Sequence, residues 1–443
     1  NAAPAGWSSQ FFHGATNITT AMSGAGFSVA LLPGGNVVLR LEVTSLDAAL
    51  GESRAEWFIT ATASRTNAAT DAVRAVVTRT PSPPALAAVS RAANGRLGND
   101  ATSAGDLSAD ARFVAFTSDA SDLVDGDYNL QEDVFLLDQQ TQLLECVSRR
   151  SGGLNTGNGR SYGARISRDG RYVVFQSSAT TLVTDDTNDR DDVFLYDRQT
   201  RALARASVGS GGVQSARESG SPQLSGDGRY LVFESLAPNF VTGDNNGTWD
   251  IFLRDTVAGT VQCLSRAGGQ TADDESHSPV ISRDGSLVVF SSLASNLAPL
   301  DTNGVSDLFL WQRGGSSVQL LSRASTGAAA SETSGEPSIS DDNRYILFTS
   351  LATNLPVATF DPGSIIFLYD CQTAQFSQLN PPRLAGRQRG SYYGPRLAPN
   401  GRLVTLLADV APAPGATNYV TGVFLYDRIS GVLTELSRRR DGI

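Results

Sequence analysis

Six copies of one phrase, spaced about 58 residues apart, constrain this chain more than any other feature. The phrases "SADARFVAF", "SRDGRYVVF", "SGDGRYLVF", "SRDGSLVVF", "SDDNRYILF" and "APNGRLVTL" align, and so do Phe135, Phe194, Phe252, Phe309, Phe367 and Phe424, which lie 59, 58, 57, 58 and 57 residues apart. A repeat of this length is a supersecondary unit that buries its apolar face only by stacking on copies of itself. Each copy holds four short strand-like runs. In the fourth copy they are "SPVIS" (278–282), "SLVVF" (286–290), "DLFLW" (307–311) and "VQLLSRA" (318–324). Asp-Gly between two apolar runs is a hairpin signal, and turns such as "DRQT" and "DRIS" separate runs three and four. No segment between them keeps a helical period over ten residues. Four strands repeated six times predict an all-β fold, a six-bladed β-propeller. Runs such as "VVF" and "VFLY" are apolar on both faces because each blade is covered on both sides.

The stretch "ISRDGRYVVFQSSATTLVTDDTNDRDDVFLYDRQT" (166–200) resembles the TolB-type β-propeller repeat, a relative of the WD-repeat propellers. The resemblance extends over all six units and implies a propeller domain of residues 85–443. It implies little about activity, because propellers host many unrelated functions. One run is surplus: "ALAAVSRA" (85–92) also matches the fourth strands, giving seven for six blades. The expectation is that residues 87–91 close the ring on blade six and displace residues 432–438.

Residues 1–84 lack the repeat. Runs such as "NVVLRLEVTS", "EWFITATAS" and "DAVRAVVTRT" alternate with Gly, Asn and Pro turns. This spacing predicts a small immunoglobulin-like β-sandwich, and the segment resembles modules strung along bacterial secreted and surface proteins. "PSPPA" (81–85) is a stiff, extended joint between the two domains.

Formal net charge is −10 and all 35 basic residues are arginine. Nucleic-acid binding needs clustered cations and is not expected. No apolar run approaches a membrane span. Cys146, Cys263 and Cys371 are far apart and odd in number, so they form no disulfide framework or zinc site. Cys146 and Cys263 occupy like positions and read as small buried residues. The chain starts at Asn1 without a signal-peptide pattern, which reads as a processed chain or a piece of a longer one. Together with the resemblance this implies an extracytoplasmic location: secreted, cell-surface or periplasmic.

Chemistry is sparse in linear form. The only histidines are His13 and His277. No G-x-S-x-G elbow, phosphate loop or helix-borne metal motif occurs, and the α/β-hydrolase domain of related peptidases is missing. The expectation is therefore a non-enzymatic structural or adhesive module without catalytic residues. Its partners would be other protein subunits or a surface polymer, with self-association. Two alternatives stay open. One is a carbohydrate-binding, lectin-like propeller. The other is a glycoside or peptide hydrolase with an unrecognised carboxylate pair.

Two sets of residues are candidate sites. Four units carry Asp-x-Asn-x-x-x-Asp: Asp127/Asn129/Asp133, Asp186/Asn188/Asp192, Asp244/Asn246/Asp250 and Asp301/Asn303/Asp307. Calcium takes six to eight oxygens from a tight loop, and positions one, three and seven offer three side-chain oxygens. The loop resembles a shortened form of the calcium loops of integrin-type propellers, with different spacing. The same residues also cap turns without metal, and units five and six have Ile365 and Gly422 in place of the last Asp. The second set lies where each unit enters its first strand, at Ser103, Ser161, Ser219, Ser276, Ser334 and Ser391. These loops gather at one mouth of the ring. Tyr162, His277 and Tyr392 follow such serines, and Arg160, Glu218 and Glu275 precede them. Aromatic and polar groups around a concave mouth suit a sugar or peptide, although the tyrosines also suit plain filling of the mouth.

Overall fold

The structure, a computed structural model, describes residues 7–13, 16–17, 39–45, 54–62 and 70–78 as backbone strands, and residues 89–92, 95–150, 152–315, 317–356, 365–379, 392–410 and 420–437. The chain divides into two compact units, Asn1–Ala88 and Val89–Ile443. In the first, Trp7–His13 pairs antiparallel with both Thr16–Asn17 and Leu39–Ser45. Arg54–Thr62 pairs with Thr70–Thr78. The rest of the immunoglobulin-like sandwich expected here lies outside the described residues, as does the side chain of His13.

The second unit is a six-bladed β-propeller. Each blade is a four-stranded antiparallel sheet whose strands follow one another in chain order. The first strands are Thr102–Leu107, Ser161–Ile166, Ser219–Leu224, Ser276–Ile281, Ser334–Ile339 and Tyr392–Leu397. They are innermost, since residues from all six line one axial cavity. The second strands run from Phe113–Ser118 in blade one to Leu403–Val410 in blade six, and the third from Asp133–Asp138 to Val420–Asp427.

Ring closure differs from expectation. Val432–Glu435 is the outer strand of blade six, paired with Val420–Asp427. Among the described residues each sheet is built from its own repeat alone. The surplus match comes from the connector rather than from a strand. Arg91 bridges Leu97, and the Gly98 N–H donates to the Ser90 carbonyl as Gly157 does to Ser148 and Ala330 to Ser322. The phrase "VSRA" therefore marks the small hairpin that leads into a blade, and residues 85–88 lie outside the described residues.

Burial on both faces explains the apolar runs. In five blades a phenylalanine of the second strand faces one of the third in register, as Phe175 faces Phe194. Their rings stack at 5.6, 5.8, 5.9, 5.9 and 5.5 Å. In blade six Leu406 faces Phe424. Burying one such ring stabilises by about 1.5–3 kcal/mol, and an aromatic pair adds about 0.5–1.5 kcal/mol.

Blades meet through their turns. The Ala109 N–H donates to the Arg168 carbonyl, Arg168 to Gly226, Gly226 to Arg283, and Asp341 to Pro399. These bonds join blades one to four and blades five to six at the ends of the inner strands, and the Arg283–Asp341 ion pair at 3.3 Å spans the step from blade four to blade five. Pro399 has no N–H, so blade six cannot pass the bond on to blade one. Arg168 of blade two also reaches Asp341 of blade five at 2.6 Å.

The outer edge of five of the six turns carries a second contact. Arg112, Arg171, Arg229, Arg344 and Arg402 pair with Asp138, Asp197, Asp255, Asp370 and Asp427 of their own blades. The aromatic residue after the arginine, where there is one, packs on the following blade's turn. A Cβ at Gly170 would overlap Phe113, one at Gly228 would overlap Tyr172, one at Gly285 would overlap Tyr230, and one at Gly401 would crowd Tyr345. Blade four has Leu287 instead, and the following turn carries Asn343 at φ 59. Gly228 and Gly259 share φ +69, but only Gly228 has neighbours within 4 Å. Gly259→Ala should cost the left-handed backbone penalty alone, about 1–2 kcal/mol. Gly228→Ala should cost about 1–3 kcal/mol more through overpacking. Equal losses in urea denaturation would show that the ring contact is unimportant.

Candidate functional site

All six inner strands break register at one level. The shifts fall between Ser103 and Asp106, Tyr162 and Arg165, Gly220 and Gln223, His277 and Val280, Gly335 and Ser338, and Tyr393 and Arg396. The bulges carry left-handed backbone at Gly163, Ser221, Ser278, Glu336 and Gly394. Pro222, Pro279, Pro337 and Pro395 follow four of these residues, and proline inside a strand belongs at a bulge. A bulge re-aims side chains. Here the strands open a cavity of about 760 Å³ along the axis, lined by Asp106, Tyr162, Arg165, Gln176, Glu336 and Arg396 among others.

The polar groups of this well differ in how fully they are engaged. Asp106 accepts from the N–H groups of Leu107 and, on blade two, Ile166, both at 3.0 Å. The Glu336 carboxylate takes the Gly394 N–H at 3.2 Å and the Thr349 hydroxyl at 3.2 Å. Arg165 and Arg396 each give one N–H to a backbone carbonyl, that of Ala164 and Pro337 respectively.

The rim holds Tyr162 and His277 as expected from sequence, but blades one and six are offset by one residue: Ser103 and Tyr393, not Ala104 and Tyr392, stand in register with Tyr162 and His277. Tyr162 lines the well. Its hydroxyl donates to Asp191 at 2.8 Å and accepts from Gln176 at 2.7 Å, while Arg160 lies over its ring at 4.2 Å. Burial and then the Asp191 carboxylate push its phenol up. Arg160 also pairs with Glu132 at 2.7 Å. His277 sits between Glu234 and Glu275, each at 3.2 Å, and the Glu234 bond is the main cause of its raised pKa. Glu218 pairs with Arg190 at 2.9 Å and is not in the well. The side chain of Tyr392 and residue Ser391 lie outside the described residues. Sequence reasoning missed Asp106, Arg165, Gln176, Gln223, Glu336 and Arg396. The strand-internal prolines were the available signal.

The four Asp-Asn-Asp loops close on themselves by hydrogen bonds. The Nδ2 of Asn129, Asn188, Asn246 and Asn303 donates to the last Asp of its loop at 2.8, 3.0, 2.7 and 2.6 Å. It also donates to a carbonyl of the next connector: Gly157, Ser215, Ala272 or Ala330. The amide oxygen takes the N–H two residues on. Two acceptors on one side and a donor on the other fix the amide's orientation, so its oxygen is turned away from the Asp. A serine hydroxyl (Ser148, Ser207, Ser265 or Ser322) meets the other oxygen of that Asp at 2.5–2.6 Å. Asp127 keeps a buried oxygen without a partner. These bonds describe turn caps, and calcium at the loops remains a proposal for which a melting curve in calcium and in chelator is the test. A rise in melting temperature with calcium requires the asparagines to turn over.

No family model matches the chain, and no curated protein matches it. Solved structures share the fold. An oligogalacturonate lyase from Vibrio parahaemolyticus is 14% identical, with 88% of this chain and 87% of that chain covered and a TM-score of 0.48. A putative TolB from Agrobacterium tumefaciens is 15% identical over 63% and 80%, with a TM-score of 0.37. The propeller domain of a protease from Pyrococcus furiosus is 11% identical over 87% and 95%, with a TM-score of 0.46. At these identities the likeness concerns the fold. It corrects one expectation all the same. The non-enzymatic structural or adhesive reading rested on missing catalytic motifs, yet the neighbours include this lyase and several peptidases. A linear motif is the wrong test for a fold that collects single side chains from six separate repeats.

The buried loop acids make stability depend on pH. Burial raises Asp133 and Asp250 to about 7 and Asp192 to about 6, against the pull of their serine and asparagine bonds. The folded chain then holds protons that the unfolded chain has lost, so stability falls as pH rises between about 4 and 7. The arginine-paired Asp138, Asp197 and Asp427 are shifted down, and stability from them is lost only as pH falls below about 4. The melting temperature should peak near pH 4–5 and decline toward pH 8, both set by these same ranges. A flat or rising curve from pH 5 to pH 8, a window about one unit beyond the buried acids' range, would contradict the raised values.

Proposed function

We propose that the axial well is a carbohydrate-active site, which binds an oligosaccharide and cleaves a glycosidic bond with the carboxylates of Glu336 and Asp106. Glu336 carries this reading. It stands at the left-handed position of its bulge (φ 54°) that Ser221 and Ser278 also occupy and where blades two and six have Gly163 and Gly394, and it is the one of these residues that carries a carboxylate. Its carboxylate joins that of Asp106 in a cavity lined by amides, hydroxyls and guanidinium groups as well as by Pro222, Pro279, Pro337 and Val280, a mixed lining that offers a polyol both hydrogen-bonding groups and apolar surface. Glu336 has the longer hydrogen bonds of the two acids and is the proton-transfer group. Asp106, held by two N–H groups, faces the developing positive charge. Paired carboxylates do this work in glycoside cleavage. An extracytoplasmic location and an immunoglobulin-like spacer at residues 1–84 belong to the same proposal.

The test is cleavage of a panel of polysaccharides by the full chain, read as new reducing ends and as unsaturated sugar. Glu336→Gln should lower kcat about 100-fold or more and change stability by less than about 1 kcal/mol. Turnover equal to that of the original chain would remove Glu336, and the reading with it.

A further inference from the structure

We infer that the sugar taken by the well carries carboxylates, and that Arg165 and Arg396 clamp them; this rests on the carbohydrate reading. The argument is a balance of donors and acceptors. The two acids of the well already accept from protein groups: Asp106 from Leu107 and Ile166, Glu336 from Gly394 and Thr349. The two arginines are in the opposite state. A guanidinium has five N–H donors. Arg165 and Arg396 each make one hydrogen bond, to Ala164 and Pro337 carbonyls. Among the described residues neither has a carboxylate within ion-pair distance, a state they share with Arg254 and Arg313, but Arg165 and Arg396 are the arginines that line the well. In a chain of net charge −10, two unpaired guanidinium groups facing one cavity point outward, to a ligand.

Position adds to this. Arg165 and Arg396 occupy the same place after the bulge in blades two and six, the two neighbours of blade one in the ring. The corresponding residues of blades three, four and five are Gln223, Val280 and Ser338. The two positive groups thus flank blade one, whose own residue at this place is Asp106, already bonded to the Leu107 and Ile166 N–H groups. An arginine fork matches a carboxylate through two parallel N–H···O bonds. The class that fits is a uronic-acid oligosaccharide, with an acidic sugar unit on the blade-one side.

The experiment is calorimetric titration of the full chain with a tetrameric uronic-acid oligosaccharide and with its fully methyl-esterified form. The ester keeps every hydroxyl, removes the charge and adds one methyl group per carboxylate. The acid form should bind at least tenfold tighter, and added salt should weaken it selectively. Arg165→Gln and Arg396→Gln should each weaken the acid form about tenfold and leave the ester unchanged, with an unaltered melting temperature showing intact folding. Lysine at either position should restore part of the loss. Equal binding of acid and ester overturns the clamp and leaves the carbohydrate reading standing. Binding of neither form overturns both. Displacement of the acid sugar by a short peptide with a free C-terminal carboxylate, bound more tightly, assigns the clamp to peptides and overturns the inference.

Discussion

A carboxylate closed off from water holds each of the first four blades to the connector that leads onward. Asp133, Asp192, Asp250 and Asp307 are fully buried. One oxygen meets the serine at the end of the outer strand, and the other meets an asparagine that also holds the next connector. Burying a charge is costly unless its hydrogen-bonding capacity is met, which is why the acid, serine and asparagine occur together. The clasp decides where the connector turns. Directly beyond it, the N–H of Ser161, Ser219, Ser276 and Ser334 bonds back to Glu132, Asp191, Trp249 and Ser306. The inner strands of blades two to five therefore start at a fixed height, and those of blades one and six bulge at the same level without the clasp.

The bulges also tie strain to assembly. Ser221, Ser278 and Glu336 hold left-handed backbone. Ser278 gives its N–H to Glu234 of the previous blade at 2.6 Å, and Ser221 gives its own to Gln176 at 3.3 Å. The conformation that re-aims the strand thus offers a donor to the neighbouring blade, and Glu234 extends the same bond to His277 at the rim.

The repeat made the fold legible. Six phrases, an Asp-Gly turn and a phenylalanine at constant spacing specify strands and burial, because each blade meets the same packing problem. The well was illegible for the same reason. Asp106, Arg165, Gln223, Val280, Ser338 and Arg396 occupy one structural position, and there the repeats differ in charge. Aligning the copies for likeness averages such a position away. Closure was misread because the phrase at 85–92 is shared by a strand end and a connector, and only backbone pairing separates them. The asparagine loops were ambiguous because a sequence does not record which end of an amide faces the acid.

The contact between a ring on one blade and the turn of the next fixes the order of the repeats. Blades one, two, three and five end their turns in Phe113, Tyr172, Tyr230 and Tyr345, and each is followed by a glycine turn. Blade four offers Ser286 and Leu287, and Asn343 of blade five bonds to Ser286 at 2.9 Å. A blade is therefore compatible only with certain successors, although all six share one architecture. Exchanging blades four and five would set Asn343 against Tyr230. Circular permutation, which keeps every neighbour, would break none of these pairs. The six repeats behave as an ordered set of adapters, and shuffling or gene duplication within the ring has to conserve adjacency.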